Sequence, residues 1–365
     1  MPEVTENTID YEKEMVGTIE AEGKDRLDLG ALTAWFEANV DGYAGPISYT
    51  KFKGGQSNPT YRIDTGPNGQ GTSYVLRRQP FGKLLPSAHA VDREYTAMTA
   101  LHPTGFPVPR TYGLCEDPQV LGSKFFVMSL ADGRNLWNGA LPNNTPDERR
   151  DIYFAMIDTI ADLHKADIDQ IGLSDFGKRE DYCARQINRW SKQYKLSETE
   201  TIPEMDRLIE WLPQTIPPQN ASSVVHGDFR LDNLIFHKTE NRVIAVLDWE
   251  LSTLGDPIAD FSYLMLNWYN EVDGRAGLGG VDIKALGIPS VEESVGRYVT
   301  RTGFPVPPME WYFAYNLFRL AGIIQGIKKR VIDGTASSAH AKKTSESVVP
   351  LVQHAYRFAQ AAGLK

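Results

Sequence analysis

The chain has 365 residues, enough for two or three packing units, and its 41% hydrophobic and 23% charged content is ordinary for a globular protein. A formal charge of −9, from 38 basic against 47 acidic side chains, argues against a general nucleic-acid binder, which needs a basic surface to displace phosphate counterions. Cys115 and Cys183 stand far apart and are the only cysteines, which excludes a zinc site of thiolate pairs and argues against a disulfide scaffold.

Residues 1–27 are polar, acidic and without periodicity, and read as a flexible arm with no signal-peptide core. Asp28 is placed to cap a helix whose apolar face is Leu29, Leu32, Trp35 and Phe36. Three short strands follow, at Ile47–Phe52, Thr60–Asp64 and Tyr74–Arg77, divided by Gly54-Gly55 and by the glycine-rich turn at 66–71. A helix is predicted from Ala90 to Leu101, ended by Pro103 and Pro107, then strands near 110–114 and 124–128.

Beyond Asp132-Gly133 the pattern changes to long helices: 149–165, 180–195, 203–212, 258–269, 291–302, 311–332 and a last one near the C-terminus. A compact β segment at 224–249 interrupts them. The expected class is α+β, with a small β-rich half over residues 28–131 and a larger, mainly helical half over 132–365. No apolar run approaches the roughly 20 residues that span a bilayer, so a cytoplasmic protein with no membrane partner is expected.

The densest chemistry lies in Val225-His226-Gly227-Asp228-Phe229-Arg230-Leu231-Asp232-Asn233, followed by Val246-Leu247-Asp248-Trp249-Glu250. Asn233 comes five residues after Asp228 and Asp248 twenty after it, with apolar strands on both sides to bury the flanks. Phosphoryl transfer needs a carboxylate to accept the acceptor's hydroxyl proton, and oxygen ligands for Mg²⁺ on the triphosphate. Asp228 is the candidate base, Asn233 and Asp248 the candidate metal ligands, and Arg230 the cation that offsets charge on the moving phosphoryl group. Asp256 and Asp260 are expected to hold the loop by capping and backbone hydrogen bonds, and His226 to orient Asp228.

The H-G-D-x-x-x-x-N run with its later strand-borne aspartate resembles the aminoglycoside phosphotransferase family, distant relatives of the protein kinases. The resemblance implies a bilobal protein-kinase-like fold with an ATP- or GTP-binding N-lobe and a C-lobe that is catalytic and acceptor-binding. It implies a phosphate-facing turn at Gly54, Gly55, Ser57 and Asn58, whose amides and side chains supply donors. Arg77, with Arg78 as the alternative, stands where the kinases carry a lysine paired to a helix glutamate, here Glu94. The main chain near Ser129 and Ala131 is the implied purine contact. Trp249-Glu250 in place of Phe-Gly sets aside a kinase-type activation switch.

The Gly-Gly-Gln-Ser-Asn loop, the Tyr-Val-Leu-Arg strand and the Lys-Leu-Leu-Pro-Ser-Ala-His run at 83–89 are similar to the branch found beside, or fused to, acyl-CoA dehydrogenases. That similarity implies a functional link to such a dehydrogenase and a hydroxyacyl-CoA or hydroxy acid as the small-molecule hydroxyl acceptor. Arg319, Gly322, Ile323, Gly326 and Arg330 share a helix face, which suits either an anionic acceptor or close helix packing. A silent nucleotide-binding scaffold, an aminoglycoside kinase and a metal-dependent hydrolase are the alternatives.

Overall fold

The computed structural model describes residues 15–54, 58–81, 90–270, 276–335 and 341–365. Its first half is built on an antiparallel sheet of six strands in the order β1-β2-β3-β4-β6-β5. These are β1 (Thr18–Ile19), β2 (Ile47–Phe52), β3 (Thr60–Thr65), β4 (Ser73–Arg78), β5 (Thr111–Cys115) and β6 (Phe125–Ser129). Within residues 1–27, read above as an arm, β1 adds an edge strand to β2 with Thr18 opposite Phe52, and Leu27 is buried.

Helix α1 (Leu29–Asn39) packs on one face of the sheet. Asp28 caps it, accepting from the Ala31 N–H at 3.0 Å. Leu32, Trp35 and Phe36 bury against Ile63, Leu76 and Phe125, whereas Leu29, expected on the same face, is 46% exposed. Leu29 sits at the helix's first position, where the apolar stripe has not yet turned inward. Helix α2 (Val91–Leu101) covers the other face and buries Val91, Glu94, Ala97, Met98 and Leu101 along its inner stripe.

Strand alternation sorts the side chains of β4 between the two faces. Tyr74 and Leu76 join the cluster beneath α1, while Val75 joins the larger core. Arg77 therefore points to the inner face and Arg78 to the other, where its guanidinium donates to Tyr61 Oη at 3.0 Å. The residue at 77, and not its neighbour, is the inward cation.

The larger half holds α3 (Pro146–Lys165), α4 (Tyr182–Ser197), α5 (Pro203–Trp211), α6 (Pro257–Met265), α7 (Val291–Thr302), α8 (Glu310–Ile332) and α9 (Val348–Ala361). Thr145 and Glu148 close a capping box at the start of α3, and Ser290 and Glu293 do the same for α7. The predicted β segment at 224–249 divides between two small sheets. β8 (Ser223–Val225) pairs with β11 (Thr253–Gly255), and β9 (Leu234–Phe236) lies between β10 (Val243–Val246) and β7 (Arg134–Asn135). Among the described residues no helix is long and apolar enough to cross a membrane.

Candidate active site

A cleft of about 560 Å³ between the halves is lined by Gly54, Val75, Arg77, Glu94, Ser129 and Ala131 from one side. Asp228, Arg230, Asn233 and Asp248 line it from the other. Its size is that of an ordinary ligand site. The structure thus gathers into one cleft nine of the predicted residues, Gly54 included, while Gly55 and Ser57 lie outside the described residues, as does the 83–89 run.

The Asp228 loop is held by its backbone. Gly227 has φ +83, and a Cβ there would stand 2.9 Å from the Leu251 carbonyl, so the turn needs glycine. Asp260 accepts from the His226 N–H at 2.7 Å and the Gly227 N–H at 2.9 Å, and Asp256 caps α6 through the Ile258 N–H at 2.8 Å. Both expected supporting roles are met. Behind Asp260 stands His164, itself 2.7 Å from Tyr298 Oη. His226 acts on the main chain instead of the Asp228 carboxylate: its Nδ1 accepts from the Asp228 N–H at 3.2 Å, and its other nitrogen meets the Leu247 carbonyl at 2.9 Å.

Asp228 Oδ1 accepts from Arg230 Nε at 2.9 Å and from the Tyr263 hydroxyl at 2.7 Å. Its Oδ2 accepts from Arg230 Nη2 and Asn233 Nδ2, each at 3.2 Å. Burial pushes the carboxyl up, but Arg230, Tyr263 and His226 outweigh it and hold the group below the usual carboxylate range. Asp228 is accordingly ionised at neutral pH. Arg230, expected beside a moving phosphoryl group, forks onto Asp228 and reaches Asp232 at 3.2 Å. Tyr263 was missed because its contact with Asp228 spans 35 positions and follows no local pattern.

On the facing side, Arg77 Nε donates to Glu94 Oε1 at 3.0 Å and its Nη2 to Asp248 Oδ1 at 2.5 Å. Asn58, expected to offer donors to phosphate, is fully buried and gives its amide to Glu94 at 2.9 Å and Glu250 at 3.3 Å. Ligand oxygens of Glu94, Asp248 and Glu250 lie within 4.8 Å of one another, three carboxylates about one guanidinium. Burial, with the charges of Asp248 and Glu250, pushes Glu94 up to about 8 against the pull of Arg77. Arg77 is held charged: burial opposes its charge, and Glu94, Asp248 and Glu250 overcome that.

Asp248 takes a left-handed conformation with φ +68, which aspartate tolerates better than most side chains, and this sets its carboxylate in the cleft. The main chain of Leu247 bonds Asn233 at 2.9 Å and so brings the two expected metal ligands side by side. Asn233 spends its Nδ2 on Asp228, which leaves Oδ1 as the atom with which it could hold a metal. A carboxylate and an amide oxygen are donors that suit Mg²⁺, which keeps its remaining positions for phosphate and water. Ser129 and Ala131 line the cleft, but the Ser129 N–H already donates to the Arg110 carbonyl at 2.8 Å, so that donor is not available to a base.

The face proposed along α8 divides. Arg319 is buried under the Asp228 loop, donating to the Gly227 carbonyl, whereas Arg330 is exposed. Gly322 and Gly326 face Trp190 and Gln193 of α4, as the helix-packing alternative has it.

A two-lobed fold with its cleft between a sheet and a helical half defines a kinase-like phosphotransferase. The chain belongs to the phosphotransferase enzyme family, whose model matches residues 48–290. It is 43% identical over 324 residues to acyl-CoA dehydrogenase family member 10 of Mus musculus, covering 88% of this chain and 30% of that protein. The chain spans less than half the length of the curated relatives it matches. A crystal structure from Ralstonia eutropha, provisionally assigned as an aminoglycoside phosphotransferase, is 47% identical with a TM-score of 0.83, covering 92% of this chain and 99% of that one. Spectinomycin phosphotransferase in complex with ADP and spectinomycin shares the fold, with a TM-score of 0.60 at 13% identity over 92% of this chain and 99% of the other.

Proposed function

We propose that this phosphotransferase takes the γ-phosphate of ATP or GTP, with Mg²⁺, and moves it to a hydroxyl of a small molecule. The observation that carries the reading is the meeting of an ionised Asp228 with Asn233 and Asp248 in one cleft. In this reading Asp228 accepts the acceptor's hydroxyl proton while Tyr263 and Asn233 hold its carboxylate in place. Arg77 holds phosphate oxygens, positioned by Glu94, and Arg230 offsets charge on the group in transfer. Asn233 and Asp248 would hold the magnesium ion, which when bound neutralises phosphate charge and orients the donor.

The acceptor we propose is a hydroxyacyl-CoA or hydroxy acid, handled in the cytoplasm alongside an acyl-CoA dehydrogenase. Two things support it: relatives that bear the acyl-CoA dehydrogenase name, and a short sequence run similar to that branch. The silent scaffold gains no comparable observation, and the aminoglycoside reading rests on the provisional assignment of the Ralstonia eutropha structure. The test is transfer of labelled γ-phosphate to a panel of hydroxy acids and hydroxyacyl thioesters. Asp228→Asn is expected to lower turnover by about 10²–10⁴-fold while nucleotide affinity stays near wild type. Wild-type turnover in that variant removes Asp228 as the base.

A further inference from the structure

A second cavity, of about 240 Å³, shares with the nucleotide cleft only Glu250 among the described lining residues. Three arginines from three separate helices converge on it: Arg93 of α2, Arg189 of α4 and Arg319 of α8. Trp190 and the segment Leu251–Thr253 complete much of the wall.

Among the described residues, none of these guanidinium groups has a carboxylate within ion-pair distance. Arg93 donates only to neutral acceptors, the carbonyls of Phe176 at 2.8 Å and Ser252 at 3.0 Å, and lies over the Phe176 ring. Among the described residues Arg189 has no hydrogen-bond partner, and it rests over Trp190, its Cζ 5.2 Å from the ring centroid. Arg319 is 5% exposed, meets the Gly227 carbonyl and the face of Tyr263, and keeps its Nε buried without a partner. Glu250, the carboxylate in the wall, is engaged by Asn58. Burial holds Arg93 below the ordinary arginine range; the negative charge of the adjacent Asp92 opposes this and the positive charge of Arg189 adds to it.

Like charges gathered in a partly closed cavity, with a buried donor left unused, form a site that an anion completes. We infer that this cavity is a second anion-binding site, taking a phosphate or carboxylate group between α2, α4 and α8. Its place gives it leverage on catalysis. Arg93 neighbours Glu94 in α2 and ties that helix to Ser252, just past Asp248, while Arg319 holds the residue before Asp228. An anion here would join both catalytic segments to the helix that bears Glu94. The inference goes beyond the proposed reaction and does not require it.

The test titrates inorganic phosphate into protein already saturated with Mg·ADP and follows the unfolding midpoint. Wild type is compared with Arg189→Glu and Arg189→Lys, at an exposed side chain whose replacement breaks no hydrogen bond among the described residues. The expected result is a saturable rise in wild type, an apparent affinity at least about tenfold weaker in Arg189→Glu, and an intermediate one in Arg189→Lys. An equal response in wild type and Arg189→Glu is the general salting effect of phosphate and overturns the site, as does no response. If Mg·ADP itself gives no shift, the nucleotide reading fails, yet the same comparison without it still reads the cavity. Competition of phosphate with a hydroxy acid acceptor would assign the site to the acceptor's own anionic group. A changed maximal rate without competition would assign it to a separate effector.

Discussion

Arg77 Nη2 stands 2.5 Å from Asp248 Oδ1, a direct bond between the inward cation of the sheet and the carboxylate at the far wall of the cleft, 171 positions along the chain. The same guanidinium holds Glu94, so one arginine organises the junction of the two halves. Both Arg77 and Glu94 are buried, and removing Arg77 takes the one cation named here from among the carboxyl groups of Glu94, Asp248 and Glu250. Arg77→Met is expected to cost about 3–5 kcal/mol in urea unfolding. Arg77→Lys should cost less, because it keeps the charge and loses the two-pronged contact.

Glu94 carries a signature in pH. Its carboxyl is pushed up to about 8 in the folded protein, from an ordinary 4.5. The folded state therefore binds this proton more tightly than the unfolded state. The stability it contributes is complete below about 4.5 and is lost as pH rises through 8. Glu94→Gln, compared with wild type across that window by chemical denaturation, should flatten this component of the slope. Parallel curves would show that Glu94 titrates normally.

In the proposed reaction Tyr263 tunes Asp228. Its hydroxyl is one of the groups that hold Asp228 ionised. A hydrogen bond to a charged group contributes about 1.5–3 kcal/mol, and one pKa unit is about 1.4 kcal/mol. Tyr263→Phe should therefore move the acid limb of the transfer rate upward by about one pH unit, with little change in nucleotide affinity. An unmoved limb would leave Tyr263 a packing residue.

Gly227 sets the loop. A side chain there meets both a left-handed backbone and the Leu251 carbonyl. Gly227→Ala is expected to cost about 1–3 kcal/mol and to lower turnover by displacing Asp228, read by thermal unfolding and initial rates. Wild-type values for both would contradict the close approach.

What could be read from the chain was local. The Asp228–Asn233 spacing, the short strand at Tyr74–Arg77 and the capping Asp256 each express a short-range rule; the first two led to the cleft and the third to the helix behind the Asp228 loop. Choosing Arg77 over Arg78 needed to know which face of β4 looks inward, and β4 is buried on both. Asn58 sits in a turn where donors face a phosphate or a neighbour equally well; only the fold, by bringing Glu250 across 192 positions, decides for the neighbour. β1 and β7 are two residues each, too short to show a period. Arg319 and Tyr263 act through contacts between distant helices, which no spacing in the sequence encodes.

The most direct test of the central claim is the unfolding midpoint with and without Mg·ATP, in wild type and Asp248→Ala. Each protein is compared with its own unliganded state, since the substitution also removes a partner of Arg77. At about a hundred times the dissociation constant, ligand should add roughly 2.7 kcal/mol. The account predicts a rise of a few degrees in wild type that requires the metal and is largely lost in Asp248→Ala. No rise with ATP or GTP at millimolar concentration, or an equal rise in both proteins, would contradict it.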